Sequence, residues 1–461
     1  MFGNRAALAD HGNRAARTDL LDVAEHAVEL VHPRNTVPAA VERDGDRLVV
    51  GDRAYDLGSV DRVLVLGAGK GSAAVVAALE EILGDSIDAG VVAEKAGAGE
   101  TADSTALDIL AAGHPLPDGA SLQAGERALE LADGAEESDL VLACVTGGAS
   151  ATMVAPAPGL TLADLRAMTD TLLRAGLPIE QVNAVRTHCS RLKGGRLAEH
   201  VSPARLATLV VVDEVAGEPW GPTVPDRATF ADALAVVEHS GLGDDLPAAV
   251  VDHLRAGREG ERSETPESLA GVDATVVVLA DASDACEAAA EKAREAGYEP
   301  LLLSTAIEGE SREAATVLGG VAREAVRHGR PVEPPCLLVT GGETTVTVGD
   351  APGEGGPNQE FALATAVDCA DLAGVTTLAL GTDGTDGPTD IAGGLVDDST
   401  VVRLRERGVD PGDHLQRHDS TPALRAVEDA VVTGPTGTNV MDLRLTVVEE
   451  GAAESRAPGT Y

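Results

Sequence analysis

Lysine is scarce in this chain. Only four occur, Lys70, Lys95, Lys193 and Lys292, and arginine supplies nearly all the other positive charge against 76 acidic residues. The formal charge of −41 repels phosphate backbones and anionic lipid surfaces, which argues against nucleic acid and membrane as partners. Aromatic residues make up only 2% of the sequence. Little lysine and few aromatics, beside abundant Asp, Glu, Ala and Val, resemble the composition of high-salt cytoplasmic proteins, where salt screens self-repulsion. Cysteine is also sparse. The five (Cys144, Cys189, Cys286, Cys336, Cys369) are scattered, odd in number and form no C-x-x-C pair, which suggests reduced thiols and no disulfide frame or zinc site. No run approaches the length of a membrane span and the N-terminus has no apolar signal core, so a soluble cytoplasmic protein is expected.

What is present is a regular alternation. Apolar strand-like runs at Val63–Leu66, Gly90–Ala93, Leu140–Val145 and Leu206–Val212 alternate with helical patterns from Ser72, from Ser121, and near 161–176 and 179–199. Thr18 is expected to cap a helix running to Val31, and Leu48–Tyr55 to form a small hairpin. This pattern predicts an α/β fold with a mainly parallel sheet and helices on both faces. The charged, strand-poor segment 240–270 is the expected boundary. It separates an N-terminal domain at 1–245 from a second domain at 270–450, with a frayed tail at 451–461.

Two lysines sit in glycine-rich motifs. Lys70 lies in Gly67-Ala68-Gly69-Lys70-Gly71-Ser72, directly after a predicted strand. Glycines let backbone N–H groups approach an anion, and the helix that follows points its positive end there. The loop is not a Walker A motif, because Gly71 stands where Ser or Thr is required. It serves equally well as a tight strand-to-helix turn. Thr146-Gly147-Gly148-Ala149-Ser150-Ala151 is a second such loop, and Thr340-Gly341-Gly342-Glu343 a third. Helical periodicity places Asn183, Arg186, Ser190 and Lys193 within an arc of about 80°, a row of anion donors on a continuous helix 179–199. His188 falls outside that row, as a partly exposed histidine. Acidic loops at Asp213-Glu214 and Gly381-Thr382-Asp383-Gly384-Thr385-Asp386, and the Thr436-Gly437-Thr438-Asn439 loop before Asp442, offer hard oxygen ligands suited to Mg2+ held jointly with phosphate.

At these residues the chain resembles the glycerate 2-kinase family with a C-terminal MOFRL domain. The matching stretches include GAGKGSAAVVAALEEILG, VTGGASA, NAVRTHCSRLKGGRLAEH, GGETTVTV, NQEFALA, GTDGTDGPTDIAGGLVD and TGPTGTNVMDLR. They follow the family order from about Arg17 to Leu445. The resemblance implies a Rossmann-like N-terminal domain, a mixed α/β MOFRL domain, and an active site in the cleft between them. It implies ATP- and Mg2+-dependent phosphorylation of the 2-hydroxyl of D-glycerate. Read together with the loops described above, the expected catalytic set is Lys70, Lys193, Arg186 and Asp386. The nucleotide set is Gly67, Gly69, Thr146, Gly147, Gly148, Ser150, Gly341, Gly342, Thr436 and Asn439. The Mg2+ set is Asp213, Glu214, Glu343 and Asp383.

Two departures bear on the substrate. The family usually reads G-G-R-N-Q-E, whereas here Pro357 precedes Asn358-Gln359-Glu360. The acidic loop at 217–221, with Glu218 and the only tryptophan, Trp220, is shorter than usual. Two rivals stand beside the kinase. One is an NAD(P)H-dependent hydroxypyruvate or tartronate semialdehyde reductase, with Glu94 near the spacing of a ribose contact. The other is a non-catalytic sugar-acid-binding protein. Oligomeric state is left open, with a homodimer carried as an expectation.

Overall fold

The structure, a computed structural model, describes residues 1–97, 106–215, 220–348 and 353–454. It divides into two units. The first comprises the described residues of Pro33–Val212 and Glu218–Leu279. A small antiparallel sheet opens it, with β1 Val41–Asp44, β2 Arg47–Val50 and β3 Arg53–Asp56. The expected hairpin is β2–β3, with Leu48 opposite Tyr55.

The main sheet of this unit has six strands. They are β4 Val63–Ala68, β5 Ala89–Lys95, β6 Leu107–Ala112, β7 Leu140–Val145, β8 Arg205–Val211 and β9 Ala274–Ala280, in the spatial order β6-β5-β4-β7-β8-β9. The pairs β5–β6, β4–β5, β4–β7 and β7–β8 are parallel. Every residue of β4 and β7 is buried, as near-continuous Val and Leu runs demand when both faces of a strand are covered. The order reverses direction between β4 and β7. A crevice therefore opens at their carboxyl ends, where such sheets bind ligands. Helices Leu162–Arg174, Ile179–His188, Phe230–Ser240 and Ala248–Arg258 share a separate apolar cluster that includes Leu172, Val185, Phe230 and Leu254.

The second unit comprises the described residues of Met1–His32, Asp213–Gly217 and Ala280–Tyr461. Its strands are β10 Glu299–Ile307, β11 Cys336–Gly342, β12 Leu372–Gly381, β13 Gly393–Asp397, β14 Ala430–Val431 and β15 Asp442–Glu454. The sheet runs β10-β11-β15-β12-β13-β14. It is mixed, since β10–β11 is parallel while β15 is antiparallel to both neighbours. Leu443, Leu445 and Val447 of β15 face a core shared with Leu20, Leu21, Ala24 and Val28 of the helix Arg14–Leu30. Full burial of each such leucine or valine stabilises the fold by about 1.5–3 kcal/mol.

Several expectations are corrected here. The second unit does not begin at 270, because β9, Ala274–Ala280, completes the first sheet. Residues 1–32 group with the second unit and not with the first. Their helix is amphipathic, and its apolar face fits β15 and the helix Ala282–Glu295. That helix starts at Arg14, not Thr18, whose hydroxyl donates to the Arg14 carbonyl at 2.8 Å from inside the first turns. β15 extends through residues expected in the tail, while 455–461 lie outside the described residues. All five cysteines are free and buried. Burial pushes the Cys144 thiol up to about 12. Among the described residues, no helix is long and apolar enough to cross a membrane.

Candidate active site

Two glycine loops meet at the carboxyl ends of β4 and β7. The Lys70 N–H donates to the Gly147 carbonyl at 2.7 Å, and the Thr146 N–H to the Ala68 carbonyl at 2.9 Å. Gly69 sits at φ +114°, and a Cβ there would collide with Thr146. Only glycine permits this approach. The Lys70 side chain runs past Gly148, which also packs against the His114 ring. Gly67 lies one step back, inside β4 against Val92. So Lys70, Thr146, Gly147 and Gly148 form one constellation. His114, which precedes Pro115, borders it.

The N-terminus of the helix Ser72–Leu83 is already occupied. Glu94, at the end of β5, accepts from the Gly71 N–H at 3.0 Å and the Ala73 N–H at 2.9 Å. The Ser72 hydroxyl donates to it at 3.3 Å. Glu94 is buried, and desolvation raises its pKa while these donors oppose the rise. Its side chain turns into the protein as a cap and takes the donors that a dinucleotide pyrophosphate would need.

Arg186 and Lys193 do not share one helix. The helix Ile179–His188 ends, and a second runs from Arg196 to Val201. Between them the Ser190 hydroxyl accepts from the N–H groups of Leu192 and Lys193 at 3.1 and 3.3 Å. Gly194 adopts φ +65°, with Thr187 and Thr265 where a side chain would stand. The turn nevertheless brings the two cations near each other. The Lys193 ammonium donates to the Ser150 carbonyl at 2.7 Å, which ties it to the second glycine loop. Burial, with Arg186 beside it, holds Lys193 well below the usual lysine range. Arg186 donates to the Asn183 side-chain oxygen. His188 is 1% exposed, not partly exposed as its helical position suggested; its Nδ1 donates to the Ala184 carbonyl at 2.7 Å and its Nε2 lies 3.2 Å from the Glu264 carboxylate.

In the second unit the other motifs gather at one end of the mixed sheet. Gly342 ends β11, Gly381 ends β12, and both pair with Asp442 at the start of β15. Gly341 pairs with Leu443. The loops after β12 and before β15 are laced together. Thr436 donates through its N–H to the Asp383 carbonyl at 3.2 Å and through its hydroxyl to Thr382. The Asn439 amide donates to Asp213 at 3.1 Å. Asp383 accepts from the Thr385 N–H at 2.9 Å.

Asp386, assigned a catalytic role from the sequence, is 3% exposed. It accepts from the N–H groups of Asn358 and Gln359 at 3.0 and 2.9 Å, and so caps the helix Pro357–Asp368. Burial, with Asp442 nearby, pushes its carboxyl up to about 7. Those contacts position a helix, and they leave little of the carboxylate for substrate. Asp442 was not among the assigned residues. It accepts from the Asn358 amide at 2.6 Å and from Arg444 at 2.5 Å, and burial raises its pKa despite the arginine. Its motif, Asn439-Val440-Met441-Asp442, was quoted from the sequence without a role for the acid. Pro357 occupies the first helical position, where a missing N–H costs nothing.

The four expected Mg2+ ligands are not drawn into one cluster. Among the described residues, no group of three His, Cys, Asp or Glu is placed to hold a metal. Glu343 is exposed, while Asp213, Glu214 and Asp383 are half-buried. A dedicated all-protein cage therefore does not fit. One or two carboxylates beside nucleotide phosphates, the usual Mg2+ arrangement, fits the loop at Asp383, whose charge also bears on Asp442. Residues 216–219, Glu218 among them, lie outside the described residues.

Residues 19–255 match a domain of unknown function, DUF4147, and residues 336–442 match the MOFRL family. A glycerate 2-kinase of Pyrococcus horikoshii is 37% identical over 93% of this chain and 96% of its own length. A putative hydroxypyruvate reductase of Agrobacterium vitis is 41% identical over 84% of this chain and 87% of its own. The crystal structure of glycerate kinase from Thermotoga maritima superposes with a TM-score of 0.78 at 34% identity, covering 93% of this chain and 98% of that one. The two-unit α/β fold, the meeting of the Lys70 and Thr146 loops, and these relatives together make the chain a member of the glycerate 2-kinase family with a MOFRL domain.

Proposed function

We propose that this protein transfers the γ-phosphoryl group of ATP to the 2-hydroxyl of D-glycerate, giving 2-phosphoglycerate and ADP. The observation that carries the reading is the meeting of Lys70, the Thr146–Ser150 loop and the Lys193–Arg186 pair within one unit, at the switch point of a parallel sheet. Phosphoryl transfer needs alignment and charge neutralisation more than covalent help. Lys70 stabilises charge on the transferring group. Arg186 offers a planar fork for the glycerate carboxylate, and Lys193 a point charge. Mg2+ carried on the nucleotide would supply further neutralisation of the phosphates, with Asp383 and the Asp213–Glu214 loop as its proposed protein ligands.

The name hydroxypyruvate reductase among the relatives raises the nicotinamide alternative. The Glu94 cap speaks against it. A carboxylate on the helix N-terminus repels a pyrophosphate and uses its donors. The deciding experiment is a paired assay on the purified chain in strong salt. Glycerate, ATP and Mg2+ are expected to release ADP, with phosphorus NMR placing the phosphate on the 2-oxygen. Hydroxypyruvate with NADH is expected to leave NADH unchanged. NADH consumption without ADP release would overturn the kinase reading, and binding without turnover in both would favour a sugar-acid sensor.

A further inference from the structure

Transfer of a phosphoryl group to a hydroxyl releases a proton, and some group must take it. The residues gathered around Lys70 (the Thr146–Ser150 loop, Arg186 and Lys193) carry positive charge but no carboxylate. Glu94 and Asp118, acids that adjoin these turns, are each spent on a helix. Glu94 caps Ser72–Leu83. Asp118 accepts from the Ser121 N–H at 2.9 Å and caps Gly119–Asp133.

His114 is placed for that task. It follows β6, which runs parallel to β5, as β4 does to β5 and β7. Its turn therefore emerges at the same edge of the sheet as the Lys70 and Thr146 loops. β5 and β4 stand between β6 and β7 in the sheet, a span of about 14 Å. The ring nevertheless reaches the β7 loop. A Cβ on Gly148 would stand 3.0 Å from the His114 Nε2 and 3.5 Å from the Lys70 Cγ. The ring nitrogen and the lysine stem thus face one point, which Gly148 keeps open by having no side chain. His114, Lys70, Gly148 and Ser150 are all half-buried, so solvent and ligand reach them. The turn that carries the ring is pinned. Asp118 accepts from the Gly113 N–H, and Arg166 donates to the Pro117 carbonyl at 2.6 Å. A proton acceptor needs such support, because proton transfer demands a fixed geometry.

We infer that His114 is a further catalytic residue, whose Nε2 accepts the proton of the glycerate 2-hydroxyl as the phosphoryl group moves. This rests on the kinase reading above. The ring acts in the neutral tautomer that carries its proton on Nδ1. The O–H bond breaks and its proton passes to Nε2. The electron pair left on oxygen forms the new O–P bond. The bond from the γ-phosphorus to the bridging oxygen breaks, and ADP leaves with that pair. The ring then returns its proton to water.

The test is steady-state kinetics of His114→Gln and His114→Ala with glycerate, ATP and Mg2+ in strong KCl. In both, kcat is expected to fall about a hundredfold or more, with the KM values for glycerate and ATP little changed. Imidazole added to His114→Ala should restore turnover in proportion to its concentration. Pyrazole, of the same size but a far weaker base, should not. That contrast separates a proton acceptor from a ring that only fills space. Near-parental kcat in either variant, a loss confined to KM, no rescue by imidazole, or equal rescue by pyrazole would each overturn the role of His114 and leave the kinase reading standing. No ADP release by the parent would overturn both.

Discussion

At the scale of single residues, the proposed chemistry rests on Lys70 and the Arg186–Lys193 pair. Lys70→Ala should fold and lose kcat by about a hundredfold or more, as for a removed transition-state charge contact; comparable kcat for variant and parent would remove Lys70 from the mechanism. Arg186→Ala should raise the KM for glycerate more than that for ATP. Losing a charge-assisted contact of this kind costs about 2–5 kcal/mol, so the shift in KM is large. A selective rise in the ATP KM would instead give Arg186 to the nucleotide. Lys193 makes a different prediction. The free protein holds it well below the usual lysine range through burial and Arg186. An arriving anion favours the charged form, so ligand binding at pH values where the free side chain has lost its proton should take one up. Calorimetry in two buffers of different ionisation enthalpy reads that uptake directly, and Lys193→Met should abolish it. Lys70 was legible from the sequence because a rare residue stood in a glycine loop. The role of Glu94 was not, since nothing in one dimension tells a side chain that reaches a ligand from one that turns back to a helix end.

At the scale of elements, the strands were the most legible part. β7 and β4 are short apolar runs rich in Val and Leu, and their shortness and branched residues favour a strand buried on both faces over a buried helix. The helix 179–199 was misread because its apolar spacing continues across Ser190. The break is made by the Ser190 hydroxyl and by Gly194, a signal present in the sequence but outvoted by periodicity. The helix Pro357–Asp368 shows the converse. Its Asn358-Gln359-Glu360 start resembled active-site chemistry, and in the structure Asp386 caps it. Asp386→Ala should cost about 0.5–2 kcal/mol, seen as a lower denaturation midpoint. The pH dependence has a definite sign. With its carboxyl pushed up to about 7, Asp386 holds its proton in the folded chain at pH values where the unfolded chain has lost it. Its contribution to stability is therefore fully present below the ordinary aspartate range and is lost as pH rises through 7. Between about pH 5 and about pH 8 the parent should lose stability relative to Asp386→Asn. A constant difference between the two would mean that Asp386 is ionised throughout.

At the scale of the whole molecule, charge and chain order dominate. With −41 formal charges, self-repulsion opposes the compact state until salt screens it. Tm should therefore climb steeply from dilute buffer to molar KCl, and an unchanged Tm would show that the composition argument fails. The fold class was legible because alternation of strands and helices constrains topology. The grouping of residues 1–32 was not, because an amphipathic helix shows only that it needs an apolar partner, not which one.

That helix has a consequence for synthesis. Arg17 bonds to Asp397 across 380 residues of sequence, and its apolar neighbours Leu20, Leu21 and Val28 rest on β15. The helix Arg14–Leu30 thus waits for β15, the last strand of its sheet in chain order. At typical elongation rates of roughly 5–20 residues per second, that wait lasts on the order of tens of seconds or more. During it an oily face is exposed to water. Nascent chains on one message are then natural targets for each other, and a chaperone that shields the first thirty residues would govern the yield of folded protein more than any change to the site.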